Sequence, residues 1–309
     1  MKSILSCFIL FVGFIAISLV QGCKNREDDI VIATVSNDWF NAPVIMAEQS
    51  VKLENKRFKT FDQRSGLASK NAILSKNAQI GLASPVVLLR DPKCWKDIVV
   101  LGVYMQSHSV IGVVTKGDSI EDLPEPFGIV RGTISEVYYK GLMSKLGLTA
   151  PALEQKLLDV SPPDIAIHLR NGTIGSGFIW EPHLSRAGKL DNVTVFLSDD
   201  IYTVNVALIA SREALISDPD GIYFFVQKVK DACEQITENP NEAAMKIVSL
   251  VGIESELLEK SWHTVDFRFE NDRTRLKEIF STEIEALKIA NMMPQENSSI
   301  IYDMLNLNQ

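Results

Sequence analysis

The residues best suited to chemistry in this chain are hydroxyls and carboxylates beside glycine and proline turns. Gly132-Thr133-Ile134-Ser135 reads as a glycine turn that opens a helix, which presents backbone N–H groups and two hydroxyls at the positive end of a helix dipole. An anionic head such as a sulfonate or carboxylate fits there. The same residues also describe a plain helix cap, with Glu136 in the first turn. Ser36-Asn37-Asp38-Trp39-Phe40-Asn41 sets an aromatic ring among polar groups, an arrangement that stacks on a flat ligand or closes over an apolar one. Alternatively, Trp39 packs inward and pins a surface loop. Ser84 ends a strand and Pro85 opens a helix, placing a hydroxyl and a backbone donor at the same edge. Trp180-Glu181-Pro182 repeats that arrangement; Glu181 can accept from an amine or a ring N–H, or form a salt bridge to Arg64 or Arg131. If Asp38 and Glu181 both face a ligand, that ligand carries a positive or donor-rich end.

Enzymatic signatures leave little trace. The chain has no Gly-x-Ser-x-Gly elbow, P-loop, dinucleotide fingerprint or His-Glu-x-x-His helix. His108, His168, His183 and His263 lack metal spacing and read as structural or surface residues. The expectation is a binding protein without cofactor or metal.

The elements that must position these residues alternate between β and helical patterns with short connections, as in sheets covered by helices. Ile30–Thr34, 57–62, 78–83 and 98–105 read as strands, and 42–50 and 66–76 as helices. A second α/β unit follows, with strands at 110–115, 127–131, 156–160 and 177–180 and helices at 135–146 and 164–170. After a strand at 203–210 the chain turns helical, with one apolar face made of Ile222, Phe225, Val226, Val229, Cys233 and Ile236 and another of Leu276, Phe280, Glu283, Ile284 and Leu287. Asn239-Pro240-Asn241-Glu242 marks a break and a fresh helix start, with Asn as cap.

The N-terminus says where this fold works. Lys2 precedes an apolar run from Ile4 to Val20, and Val20-Gln21-Gly22-Cys23 ends it with a small residue before a cysteine. This is the pattern of a bacterial lipoprotein signal, in which residues 1–22 are removed and Cys23 carries lipid; a secretory signal without lipid or a permanent anchor are the competing readings. Charged residues 24–29 suit a solvated tether. Cys7 would leave with the signal, so Cys94 and Cys233 remain, without metal or redox spacing. Cys233 reads as a buried small hydrophobe, and a Cys94–Cys233 bridge is possible outside the cytoplasm. With 31 basic and 39 acidic residues and a net charge of −8, no nucleic-acid partner or electrostatic membrane-binding surface is expected.

Several of these segments together resemble a family. Asn41-Ala42-Pro43, Gln79-Ile80-Gly81-Leu82-Ala83-Ser84-Pro85, Gly132-Thr133-Ile134-Ser135-Glu136, Ile179-Trp180-Glu181-Pro182-His183 and Asn239-Pro240-Asn241-Glu242-Ala243-Ala244 are similar to the periplasmic solute-binding proteins of ABC importers. Within these, the resemblance is to the branch for sulfonates, taurine, nitrate and thiamine-precursor pyrimidines. Asp122-Leu123-Pro124-Glu125-Pro126-Phe127 departs from the Gly-Leu-Lys-Gly-Lys-type segment common there, and Gly81-Leu82-Ala83-Ser84 lacks the usual Asp. The resemblance implies an α/β chain with the type II periplasmic-binding-protein fold. Lobe one would span 30–114 and 205–309 and lobe two 115–204, joined by crossing strands near 110–115 and 201–205, with the ligand between them. It implies a monomer that takes a small polar or anionic molecule, with an ABC permease as partner and a lipid anchor to a membrane. Expected ligand-binding residues are Asn37, Asp38, Trp39, Ser84, Thr133, Ser135, Trp180, Glu181 and Asn205. A ligand-sensing lipoprotein would have the same cleft, and a pyrimidine-synthesising relative of the fold would need a cysteine-rich run that is absent.

Overall fold

A computed structural model describes residues 29–294 apart from 36, 55–56, 149–153 and 198–200. The apolar run and Cys23 lie outside the described residues. Two mixed sheets carry the fold. The first has the order β11-β4-β10-β3-β1-β2, built from β1 (Ile30–Thr34), β2 (Phe58–Asp62), β3 (Ile80–Ala83), β4 (Ile98–Ser107), β10 (Val204–Ser211) and β11 (Val265–Asp266). The second has the order β7-β6-β8-β5-β9, from β5 (Ile111–Thr115), β6 (Phe127–Ile129), β7 (Leu157–Asp159), β8 (Ser176–Trp180) and β9 (Thr194–Phe196). In each sheet the parallel strands adjoin antiparallel ones: β1 pairs in parallel with β2 and β3, while β10 runs antiparallel to β3 and β4.

The central strands are apolar end to end because both faces are covered. β3 and β5 are buried at every position. Helices α1 (Ala42–Glu54) and α2 (Gly66–Leu74) follow β1 and β2, and α3 (Pro85–Leu89) follows β3. The Ser69 hydroxyl on α2 donates to Ala33 O at 2.7 Å and accepts from Leu82 N at 2.9 Å, tying the helix to β1 and β3 together. Gly81 makes room for it, since a Cβ there would stand 2.6 Å from Ser69 Oγ. In the second sheet α4 (Ile134–Lys145), α5 (Ile165–Arg170) and α6 (His183–Ala187) supply the cover.

The C-terminal third is helical: α7 (Arg212–Ser217), α8 (Pro219–Glu238), α9 (Pro240–Val251), α10 (Ser255–Ser261) and α11 (Arg273–Ile289). The buried face of α8 includes Ile222, Phe225, Val226, Val229, Cys233 and Ile236, and it packs on α1 and β4. Asn239 holds the cap position of α9 without a side-chain cap bond, and Pro240 opens the helix. Cys94 and Cys233 are free and buried, and burial pushes both thiols up to about 12.

One boundary differs from expectation. Residues 111–114, assigned to the first lobe, belong to β5 of the second sheet, where Ile111 faces Trp180 and Val113 faces Phe196. The outward crossing is therefore the bend at 108–110, directly after β4. The order of segments along the chain already groups 110–115 with the second α/β unit; the boundary at 114 follows from the resemblance alone. The return crossing runs from β9 to β10 through Ile201, Tyr202 and Thr203.

Candidate functional site

A cavity lies where the strand ends of the two sheets meet. Val35, Asp38, Phe40, Asn41, Ser65 to Leu67, Leu82, Ser84 and Val87 line it from the first sheet's side, and Thr133, Ile134 and Trp180 from the second. Val204 and Val206 form its floor beside the return crossing. The volume is about 40 Å³ on the scale where one water needs roughly 10–15 Å³, so the cavity holds a few water volumes.

Asp38 bridges the lobes through both of its oxygens. Trp180 Nε1 donates to Asp38 Oδ2 at 2.9 Å, and His183 Nε2 lies 3.6 Å from Asp38 Oδ1. Burial pushes the Asp38 carboxyl above its usual range, against the opposing pull of His183 and Trp180. Nearby, Arg90 Nη1 reaches Glu136 Oε2 at 3.0 Å from the far side of the cleft. Glu136 also accepts from Gly132 N at 2.9 Å, so the protein's own carboxylate occupies that amide of the turn. Although burial opposes ionisation, these partners together hold the Glu136 carboxyl below the usual carboxylate range. Gly132 has φ +77°, and a Cβ there would meet Leu67 Cδ2 at 2.7 Å across the lobes.

Of the expected residues, Asp38, Ser84, Thr133 and Trp180 line the cavity. Thr133 is the N-cap of α4: its Oγ1 donates to Val130 O at 2.7 Å and accepts from Ser135 N at 3.2 Å. Ser135 is turned away, donating to Phe178 O at 2.6 Å and accepting from Val130 N at 3.0 Å, and so ties α4 to β8 and to the end of β6. Asn37 is exposed. Trp39 is fully buried against Phe40 and Trp262, so its ring is core rather than a stacking platform. Glu181 takes Ser185 N at 3.2 Å and Ser185 Oγ at 2.7 Å from the helix that follows it, which satisfies it locally, while Arg131 pairs with Glu154 at 3.4 Å. Asn205 is buried behind the cavity, bonded to Glu283 and to the exposed Gln106, and Glu283 in turn accepts from Tyr202.

Sequence reasoning missed four partners. His183 was read as structural, yet it sits against the cleft-lining Asp38. Arg90 and Glu136 come from helices far apart in sequence, and nothing local marks them as a pair. Glu283 stood out only as a carboxylate within an apolar helical face, which was a usable signal. Among the described residues no cluster of His, Cys, Asp or Glu could hold a metal ion, and no helix is long and apolar enough to cross a membrane.

The alkanesulfonate-binding protein SsuA from Xanthomonas axonopodis pv. citri, bound to MOPS, superposes with a TM-score of 0.71 at 12% identity, over 86% of this chain and 94% of that one. SsuA from Escherichia coli, a periplasmic aliphatic sulphonate binding protein, gives 0.66 at 12% identity over 87% and 89%. This chain has the periplasmic-binding-protein fold. The Candida albicans CA3427 gene product, described as having the generic form of that fold, gives 0.69 at 20% identity over 91% of this chain and 95% of that one. No protein-family model matches the chain, and no curated protein sequence does.

Proposed function

We propose that this chain is an extracytoplasmic solute-binding lipoprotein, anchored through Cys23, that delivers a small polar or anionic compound to an ABC importer. The sulfonate, taurine, nitrate and pyrimidine-precursor class is the best match. The observation that carries this reading is the small cleft between two sheets, walled by the Ser84 and Thr133 hydroxyls and Trp180 and bridged by Asp38–Trp180. Such a cavity admits a small head group and closes over it by rotation about the two crossings. The likeness in fold to sulfonate-binding proteins supports the same class. The cleft sets the Ser84 hydroxyl among largely apolar side chains, which suits holding a ligand rather than transforming it.

Thermal shift with taurine, alkanesulfonates, nitrate, bicarbonate and hydroxymethylpyrimidines tests this. A ligand at a hundredfold excess over its dissociation constant stabilises the folded protein by about 2.7 kcal/mol. One compound class should respond, and Ser84→Ala should weaken its binding about tenfold. Turnover of the responder, or no responder, would overturn the reading.

A further inference from the structure

Behind the cleft, a buried chain of hydrogen bonds leads from its wall to a carboxyl group. Ser84 lines the cavity, and its Oγ is 3.1 Å from Tyr202 Oη, which is 2.7 Å from Glu283 Oε2. Glu283 is 1% exposed and Tyr202 4%. The other carboxyl oxygen is fixed as an acceptor: Asn205 Nδ2 donates to Glu283 Oε1 at 2.9 Å and to Thr203 O at 3.3 Å, while Asn205 Oδ1 accepts from Gln106 Nε2 at 3.0 Å. Asn205 has thus committed both N–H groups and its oxygen. A proton on Glu283 therefore sits on Oε2, facing Tyr202.

Two arrangements satisfy every member of this chain. With Glu283 protonated, Oε2–H donates to Tyr202 Oη, Tyr202 donates to Ser84 Oγ, and the Ser84 O–H is free to turn into the cleft. With Glu283 ionised, Tyr202 donates to Oε2, Ser84 donates to Tyr202, and the cleft receives only the lone pairs of Ser84. We propose that the proton on Glu283 sets the polarity of the hydroxyl that Ser84 presents to the ligand, making the site a binder of anionic or acceptor groups when Glu283 is protonated. This rests on the anion-binding reading above and adds a residue that selects the ligand's charge without touching it. Burial raises the Glu283 carboxyl to about 8, which puts the crossover in mildly alkaline solution.

The charged groups around α11 leave Glu283 to this role. α11 packs on α3 and α4. Arg90 follows α3, and Glu136, Lys140 and Lys145 lie on α4; Arg90 and Lys140 both pair with Glu136. On its own helix Arg275 pairs with Glu278 and Lys288 with Glu285. Beyond Asn205 and Gln106, a surface pocket is lined by Asp266, Arg268, Glu270, Arg275 and Glu278, with Arg268 paired to Asp266 at 3.4 Å.

The test is calorimetric binding of ethanesulfonate and nitrate, neither of which titrates in this range, from pH 6.5 to 9.5, with infrared detection of the protonated Glu283 carboxyl. Affinity should fall about ten- to a hundredfold as that carboxyl ionises, the loss expected when a hydrogen bond to an anion is withdrawn. Glu283→Gln, a permanent donor to Tyr202, should bind as tightly as wild type at pH 6.5 and keep that affinity at pH 9.5. Tyr202→Phe, which cuts the chain midway, should also remove the pH dependence. If the carboxyl titrates and affinity stays flat, or if no carboxyl titrates in this window, the proposal is overturned while the solute-binding reading stands. If neither anion binds at any pH, the anion-binding reading fails and the proposal falls with it.

Discussion

At the residue scale, Asp38 links the lobes through both carboxyl oxygens. It comes from the loop after β1, and its two oxygens face Trp180 Nε1 at the end of β8 and His183 Nε2 at the start of α6. A buried hydrogen bond to a charged group is worth about 1.5–3 kcal/mol, and this one exists only while the lobes are together. Trp180→Phe keeps the ring but removes the donor. The mutant should release ligand about ten- to a hundredfold faster, as read by stopped-flow dissociation. An unchanged dissociation rate would show that the bond does not hold the lobes. Ser135 illustrates the opposite case: a hydroxyl expected at the ligand is fully occupied by Phe178 O and Val130 N, so its removal affects the seating of α4 first.

At the element scale, two helices carry buried acids that oppose the usual direction of pH stability. Burial raises Glu48 on α1 to about 7 and Glu283 on α11 to about 8, against 4.5 for the ordinary side chain. The folded state therefore binds more protons than the unfolded chain between these values. Stability from these groups is fully present below pH 4.5 and is lost as pH rises through 7 to 8. Urea unfolding should show the protein less stable at pH 9 than at pH 5.5 by an amount on the order of a few kcal/mol, and Glu283→Gln should remove much of that slope. A midpoint that rises across this range would contradict the assignment.

The strands and helices were legible in the sequence because their patterns are local: the face of Ile222, Phe225, Val226, Val229, Cys233 and Ile236 on α8 is buried as its spacing implies. The turn chemistry of Gly132-Thr133 and Ser84-Pro85 located two walls of the cleft for the same reason. What could not be read was pairing between distant segments. Nothing near Arg90 points to Glu136, and nothing near Glu283 points to Tyr202. Trp39 and Glu181 went the bland way because an inward-packing ring and a helix-start carboxylate satisfy themselves within a few residues.

At the scale of the whole molecule, a two-sheet body with a cleft at its crossings gains a working location only from residues outside the described structure. If Cys23 is the lipid site, Cys23→Ser should move the protein from the membrane fraction to the soluble fraction while ligand binding is unchanged. Retention with membranes would favour an uncleaved anchor instead. The central claim is the proposal that the chain closes over a small ligand in the cleft spanned by the contacts of Asp38 and Arg90. Small-angle X-ray scattering with and without a saturating responder from the solute panel tests this most directly. The account predicts that ligand lowers the radius of gyration and that Trp180→Phe diminishes the change; the same radius in both states, with ligand demonstrably bound, would contradict it.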